Sequence, residues 1–225
     1  MNIREAPVKL EIDIAPSEDE TDVVVFDIRL GAGANAPKYR VKVRKFSMGT
    51  KEEWLIWREE FANLIQALPL NTAAAQHSAI KSLLRGDALS RYTLFANGLG
   101  RLPDLDEINN RINEMTAEVM SSDSVRLTLE YLRQVRKPRS MTVQAYQARI
   151  MSINSLIPFM PNGNENLKLT DVDVKQIIEN GVPVAWRRQQ RAAHLTTFNL
   201  QETVSYYNEL QALELEANRS QSKQQ

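Results

Sequence analysis

The sequence contains no cysteine, no net charge and no long apolar run, and each absence excludes a class of protein. Without cysteine the chain forms no disulfide, no thiolate zinc site and no cysteine nucleophile. Because 28 Lys and Arg residues balance 28 Asp and Glu residues, no overall electric field attracts nucleic acid or membrane. No uncharged stretch approaches the ~20 apolar residues that span a bilayer, and the N-terminus lacks the apolar run of a signal peptide. We therefore expect a soluble, globular, cytoplasmic protein without a membrane partner.

Motifs that mark common enzyme classes are also missing from the sequence. There is no Gly-x-Ser-x-Gly, no phosphate-binding Walker loop, no His-Glu-x-x-His and no aspartic protease triplet. Each absence is weak by itself, but together they argue against catalysis. We expect no enzyme activity, no catalytic residue, no cofactor, no metal and no small-molecule substrate.

Three local patterns have a functional and a structural interpretation, and the structural one is favoured each time. Gly31 and Gly33 fit a dinucleotide fingerprint, but Pro37 and a second strand follow them where that site needs a helix. Asp171 and Asp173 could bind a divalent metal, yet acidic residues in a first helical turn normally cap free N–H groups. His77 and His194 are solitary, and we expect them to be surface or packing residues.

Residues 1–46 differ from the rest of the chain in their periodicity. Lys9–Ile14 and Tyr39–Phe46 alternate polar and apolar residues, and Val23–Leu30 is rich in β-branched residues. This pattern predicts a small antiparallel β-meander. Because so small a sheet is not stable alone in water, we expect it to pack on helices or to pair with another chain.

From residue 47 onward the apolar residues recur at helical spacing. Thr50 and Glu53 predict a capping box at the start of the first helix, and Ser121–Ser124 is a polar cluster that separates two helical halves and caps the helix after it. The sequence therefore predicts a mainly α protein with four parts: a β-meander over residues 1–46, helical subdomains over 47–121 and 122–216, and a disordered polar tail over 217–225.

Aromatic residues mark the first helix and one of the last. Trp54, Trp57 and Phe61 lie on one face of the first helix, and Trp186 lies on a later helix. Aromatic side chains at this spacing bury well and dominate packing. We therefore predict that these four residues belong to hydrophobic cores.

Two basic clusters stand out in the second half. One comprises Arg133, Arg136, Lys137 and Arg139, and the other comprises Arg187, Arg188 and Arg191 beside Trp186. In a neutral chain, solvated helix faces are the favoured interpretation of such clusters. The alternative is weak, non-specific nucleic-acid contact by Arg187, Arg188 and Arg191, lost steeply as salt rises.

The order of these motifs resembles a known family over residues 46–215. The motifs are Phe46 before Gly49, Trp54-x-x-Trp57-x-x-x-Phe61, Leu83-Leu84-x-Gly86-x-Ala88, Val143-x-x-Tyr146-x-x-Arg149 and Gly181-x-Pro183-x-x-Trp186. The pattern is similar to the Gag domain of Gypsy-type long-terminal-repeat retrotransposons. Tyr146-x-x-Arg149-Ile150 also resembles the core of the major homology region of retroviral capsid C-terminal domains. A zinc knuckle, which commonly follows this domain, is absent from the sequence.

The resemblance implies two all-α, capsid-like subdomains that assemble with copies of themselves into a shell around the element's RNA. Tyr146 and Arg149 are then structural: we expect a buried Tyr146, and an Arg149 whose guanidinium bonds carbonyls or a carboxylate of a neighbouring helix. RNA would be bound weakly and non-specifically. The alternative is a helical adaptor, Gag-derived or unrelated, that binds a partner protein through a strand edge or a helix groove.

Overall fold

The protein is mainly α-helical, with a two-stranded antiparallel sheet ahead of the helices, and this confirms the predicted fold class. The computed structural model describes residues 23–29, 38–47, 49–68, 70–195 and 198–222. Within these ranges the chain divides into two compact units, which meet in sequence at Ser121 and Ser122. Each unit contains its own cluster of buried hydrophobic residues.

The sheet is a hairpin of β1 (Val23–Arg29) and β2 (Lys38–Arg44). Val24 pairs with Val43 in its register. Successive side chains of a strand point to opposite faces, so Val24, Phe26 and Val43 are buried on the same face. These three residues belong to the same hydrophobic cluster as the tryptophans of the first helix.

The hairpin therefore packs on the helices of the first unit, which is one of the two arrangements expected for it. It is part of that unit's core rather than a separate domain over residues 1–46. The predicted first strand at residues 9–14 lies outside the described residues, and so do Gly31 and Gly33.

The first unit has four helices in its described part: α1 (Lys51–Ala67), α2 (Ala73–Leu83), α3 (Gly86–Gly98) and α4 (Leu105–Val119). The predicted capping box begins α1. Glu53 N–H donates to Thr50 Oγ1 at 3.2 Å, and Thr50 N–H donates to the Glu53 carboxylate at 2.6 Å. These bonds satisfy two of the N–H groups that every helix leaves open at its start.

A short main-chain link ties the segment before α1 to the connection between α2 and α3. Phe46 N–H donates to the Leu83 carbonyl at 2.8 Å, and Arg85 N–H donates to the Phe46 carbonyl at 2.8 Å. Gly86 follows with a φ of 54°, a backbone conformation that glycine adopts without strain. This link holds Phe46 beside the aromatic residues of α1.

The second unit has five helices in its described part: α5 (Ser124–Gln134), α6 (Val143–Ser155), α7 (Asp171–Gly181), α8 (Val184–Ala192) and α9 (Leu200–Ser222). The predicted loop between α6 and α7 contains two single 3₁₀ turns, Ile157–Phe159 and Glu165–Leu167. Asn154 fastens this loop, because its side-chain amide donates to the Leu169 carbonyl at 2.9 Å and accepts from Leu169 N–H at 2.7 Å.

Two sequence-based expectations differ from the structure at helix ends. The helix α9 continues to Ser222, so residues 217–222 of the predicted disordered tail are helical. No Pro or Gly follows Pro183 in the sequence, so nothing of that kind ends the helix earlier. At the start of α5 the N-cap is Asp123, and its side chain forms no capping hydrogen bond. In the described part of the chain, no helix is both long and apolar enough to cross a membrane.

Candidate functional site

The aromatic residues marked in the sequence form one cluster in the core of the first unit. Trp54, Trp57 and Phe61 are buried on α1. The ring centroids of Trp54 and Trp57 are 5.0 Å apart, those of Trp57 and Phe61 are 5.3 Å apart, and Phe46 lies 5.1 Å from Trp54. This stack packs the hairpin and the helices together and lies away from solvent.

A polar network beside this stack joins α1 to α4, and the sequence did not predict it. Trp54 Nε1 donates to Thr116 Oγ1 at 3.0 Å, and the Arg58 guanidinium donates to the same oxygen at 2.9 Å. Arg58 also donates to Asn113 Oδ1 at 2.9 Å. Burial lowers the pKa of Arg58 to about 10. The only sequence signal was the i, i+4 spacing of Trp54 and Arg58, which places them on one helix face.

The structure places Tyr146 and Arg149 in different environments. Tyr146 is 1% exposed, and its hydroxyl donates to the Val135 carbonyl at 3.0 Å. Burial raises the pKa of this phenol to about 12, and its ring packs closely against Gly181. Arg149 is exposed on α6, and no hydrogen bond or ion pair joins it to another described residue. The two residues are not brought together in one network.

Trp186 is buried in the second unit, where α8 meets α9. Its ring lies 6.2 Å from that of Tyr207, whose hydroxyl donates to Gln190 Oε1 at 2.6 Å. Lys137 Nζ lies 5.6 Å from the centre of the Trp186 ring and donates to the Met141 carbonyl at 2.6 Å. Burial lowers the pKa of Lys137. These contacts place polar atoms at the edge of the second hydrophobic core.

The three arginines of α8 do not form a single surface of equal exposure. Arg188 and Arg191 are exposed, whereas Arg187 is half-buried. Within the described residues, the Nε of Arg187 is a buried donor without an acceptor. Weak nucleic-acid contact by Arg187, Arg188 and Arg191 stays a prediction.

The acidic and histidine patterns have structural partners. Asp173 forms a capping box with Thr170 at the start of α7, as predicted, and these hydrogen bonds lower the pKa of its carboxyl. His77 Nδ1 lies 3.1 Å from the hydroxyl of Tyr92. His194 is exposed after α8 with a φ of 55°. Over the described residues, no group of three or more His, Asp or Glu side chains is arranged to hold a metal ion.

Three surfaces remain as candidates for interaction. The first is the outward face of the hairpin, where Arg40, Lys42 and Arg44 are exposed. The second is an apolar pair on α5, Leu127 and Tyr131. The third is a groove of about 980 Å³ between α6, the start of α7 and the start of α9. The lining of this groove includes Gln144, Gln147, Met151, Val172, Leu200 and Val204.

Comparison with known proteins gives no assignment for these surfaces. No family model matches the chain, and neither a curated protein nor a solved structure matches it.

Proposed function

We propose that this chain is a structural protein that assembles with copies of itself, as Gag and capsid proteins do, and encloses retrotransposon RNA. The observation that carries this proposal is the division into two helical units with separate cores. A chain of two such units offers a contact surface on each, which repeated assembly requires. The motif order over residues 46–215 supports the Gag-like assignment.

The apolar pair on α5 is the surface that best suits contact between copies. Leu127 is 50% exposed and Tyr131 is 45% exposed, and their i, i+4 spacing places them side by side. Arg126 forms exposed ion pairs with Asp123 and Glu130 on the same helix. An apolar centre with a charged rim is the usual anatomy of a protein interface. So small a contact is weak, and many copies of it stabilise a particle through avidity.

Light scattering and sedimentation over a range of protein and salt concentrations test the proposal. We expect the wild-type chain to form large closed particles, and the double variant Leu127→Ser/Tyr131→Ser to stay small at the same concentration. Val172→Ser is the matched control, because Val172 is 75% exposed on another helix of the same unit. A chain that remains monomeric at high concentration and high salt would contradict the capsid proposal.

The groove of the second unit favours a second candidate function, that of an adaptor for a partner protein. Its volume of about 980 Å³ and its mixture of amide and apolar side chains suit an amphipathic segment of another protein. An adaptor would reach a small, fixed stoichiometry with its partner. In the scattering experiment it would show no growth into particles, and Leu127→Ser/Tyr131→Ser would change nothing.

A further inference from the structure

Positive charge is concentrated in one short part of this neutral chain. Residues 28–51 contain seven of the 28 Lys and Arg residues and no Asp or Glu. The seven are Arg29, Lys38, Arg40, Lys42, Arg44, Lys45 and Lys51. Since the rest of the chain must carry the balancing negative charge, this segment is the strongest local source of positive potential in the sequence.

The hairpin places three of these seven charges on one side. Arg40, Lys42 and Arg44 are exposed, whereas Val43 between them is buried and Val41 is partly buried in the core of the first unit. Alternate residues of a strand lie about 7 Å apart on the same face. The outward face of β2 is therefore a straight row of three cations at regular intervals.

The cross-strand neighbours of this row are two valines and one aspartate. In the register, Lys42 lies opposite Val25 and Arg44 opposite Val23, both partly buried, and Asp27 lies opposite Arg40. Glu60 accepts a hydrogen bond from the main chain of Arg44. This face offers positive charge repeated along a line, with Glu60 close to one end of it.

A small cavity continues the row beyond the end of β2. It has a volume of about 210 Å³, and its lining includes Arg44, Lys45, Arg85 and Trp57, together with Glu53 and Glu60. Trp57 Nε1 is a buried donor with no acceptor among the described residues. At this end of β2 the cations Lys45 and Arg85 lie with the carboxylates Glu53 and Glu60, so the cavity has mixed charge.

We propose that the outward face of β2, with Arg40, Lys42 and Arg44, binds the phosphate backbone of single-stranded RNA. Phosphates of an extended strand repeat at a spacing similar to that of these side chains, and the Arg guanidinium can bond two phosphate oxygens at once. Binding is electrostatic and independent of base sequence. The inference rests on the proposed function for the kind of polyanion, and on the hairpin's charges for the place of contact.

Two triple variants with equal charge change test this site. Arg40→Gln/Lys42→Gln/Arg44→Gln removes three cations from the hairpin, and Arg187→Gln/Arg188→Gln/Arg191→Gln removes three from α8. Binding of a labelled poly-uridine oligonucleotide to the dilute full chain is followed by fluorescence anisotropy at several salt concentrations. Arg40→Lys/Arg44→Lys keeps the charge, and circular dichroism checks that each variant is folded.

We expect Arg40→Gln/Lys42→Gln/Arg44→Gln to bind poly-uridine more weakly than wild type and with a weaker dependence on salt. The α8 variant should bind as wild type does. Losing three phosphate contacts reduces the slope of log K against log salt by about 2. The ratio of the wild-type binding constant to that of the variant therefore falls on the order of 20-fold between ~50 and ~200 mM salt. The lysine variant should keep the wild-type salt slope, because the charge is unchanged, while it loses some affinity with the two-pronged guanidinium contacts. An equal loss in the α8 variant would overturn the proposal. So would wild-type binding that is absent, or binding that is tighter to poly-glutamate or to vesicles containing phosphatidylserine.

This experiment and the assembly experiment can fail independently. Anisotropy is measured on dilute chain, whereas particle growth is measured at high concentration without RNA. If particles form but the hairpin variant binds RNA as wild type does, the proposed RNA site is wrong and the assembly proposal stands. If the hairpin variant loses RNA binding but no particles form, the assembly proposal is wrong and the RNA site stands.

Discussion

The two units fill their cores with aromatic residues of different kinds. In the first unit Phe46, Trp54, Trp57 and Phe61 are stacked or tilted against one another at centroid distances of 5.0–5.3 Å between neighbours. In the second unit Trp186 is joined by two buried tyrosines whose hydroxyls reach a polar partner: the Val135 carbonyl for Tyr146 and the Gln190 amide for Tyr207. The first core is held mainly by ring packing, and the second by ring packing with specific hydrogen bonds.

The difference has consequences for how each unit responds to substitution. Deleting a stacked indole removes a large buried surface and leaves a cavity. Deleting one hydroxyl or amide leaves the shape almost intact but strands its partner without a hydrogen bond. The first unit should therefore be most sensitive to loss of volume, and the second should also be sensitive to small polar changes.

The largest expected effect comes from Trp57→Ala in the first unit. Because Trp57 is buried at the centre of the stack, its loss should lower the free energy of unfolding of this unit by about 3–5 kcal/mol. Hydrogen exchange followed by mass spectrometry reports peptides of the two units separately. We expect faster exchange in α1–α4 and unchanged exchange in α5–α9.

Trp186→Ala is the matched control, because Trp186 is the buried tryptophan of the second unit. It should produce the opposite pattern, with faster exchange in α5–α9 alone. If either variant loosened both units together, the cores would not be independent, and the comparison between them would fail.

The next largest effect is expected for Asn154→Ala, which removes buried hydrogen bonds of the second unit. Asn154 is buried and supplies both hydrogen bonds to the main chain of Leu169. Each unpaired buried group costs about 1–3 kcal/mol, so we expect a loss of about 2–4 kcal/mol in urea unfolding. Asn180→Ala, at an exposed position of α7, should change little. Equal effects of the two substitutions would show that the hydrogen bonds of Asn154 do not stabilise the loop.

A smaller effect separates the two residues that the sequence pattern joined. Tyr146→Phe should cost about 1–2 kcal/mol, because the Val135 carbonyl loses its donor. Arg149→Ala should stay within about 0.5 kcal/mol, because Arg149 is exposed and bonded to no other described residue. Thermal unfolding of both variants measures the difference. A loss of 2 kcal/mol or more for Arg149→Ala would restore the expected network.

Local rules of the sequence predicted much of this fold. β-Branched composition placed β1, and alternation placed β2, within a few residues of their observed bounds. The capping residues Thr50 with Glu53 and Thr170 with Asp173 act within one helical turn, so neighbouring residues are sufficient to specify them. The pairing of strands and the starts of helices are therefore readable without knowledge of the tertiary structure.

Contacts between distant segments were not predictable in the same way. Arg58 and Thr116 are 58 residues apart in sequence, and their hydrogen bond depends on how α1 packs on α4. Asn154 bonds Leu169 across a loop of irregular backbone. The alternating sequence shows Arg40, Lys42 and Arg44 at every second position. That the three are exposed together depends on which face of β2 packs on the core.

The smallest effect concerns an exception to the contrast, because the first unit also has a tyrosine with a polar partner. Tyr92 is fully buried, and its hydroxyl lies 3.1 Å from His77 Nδ1. Burial, assisted by the charge of Lys81, lowers the pKa of His77 below its ordinary value near 6.5. Because burial disfavours the charged ring, the folded state favours the neutral ring in its contact with Tyr92.

The sign of the resulting pH dependence follows from proton binding. Below about pH 6.5 the unfolded chain takes up a proton on this histidine more readily than the folded chain, so stability falls as the pH drops and levels off below the folded pKa. Urea midpoints at pH 7.5 and 5.5 should therefore differ more for wild type than for His77→Gln. His194→Gln, at the exposed second histidine, should behave as wild type. Burial raises the pKa of Glu60, which acts in the opposite direction, but this contribution is common to all three proteins and cancels in the comparison. Identical pH dependence in wild type and His77→Gln would mean that the contact with Tyr92 does not discriminate between the two forms of the ring.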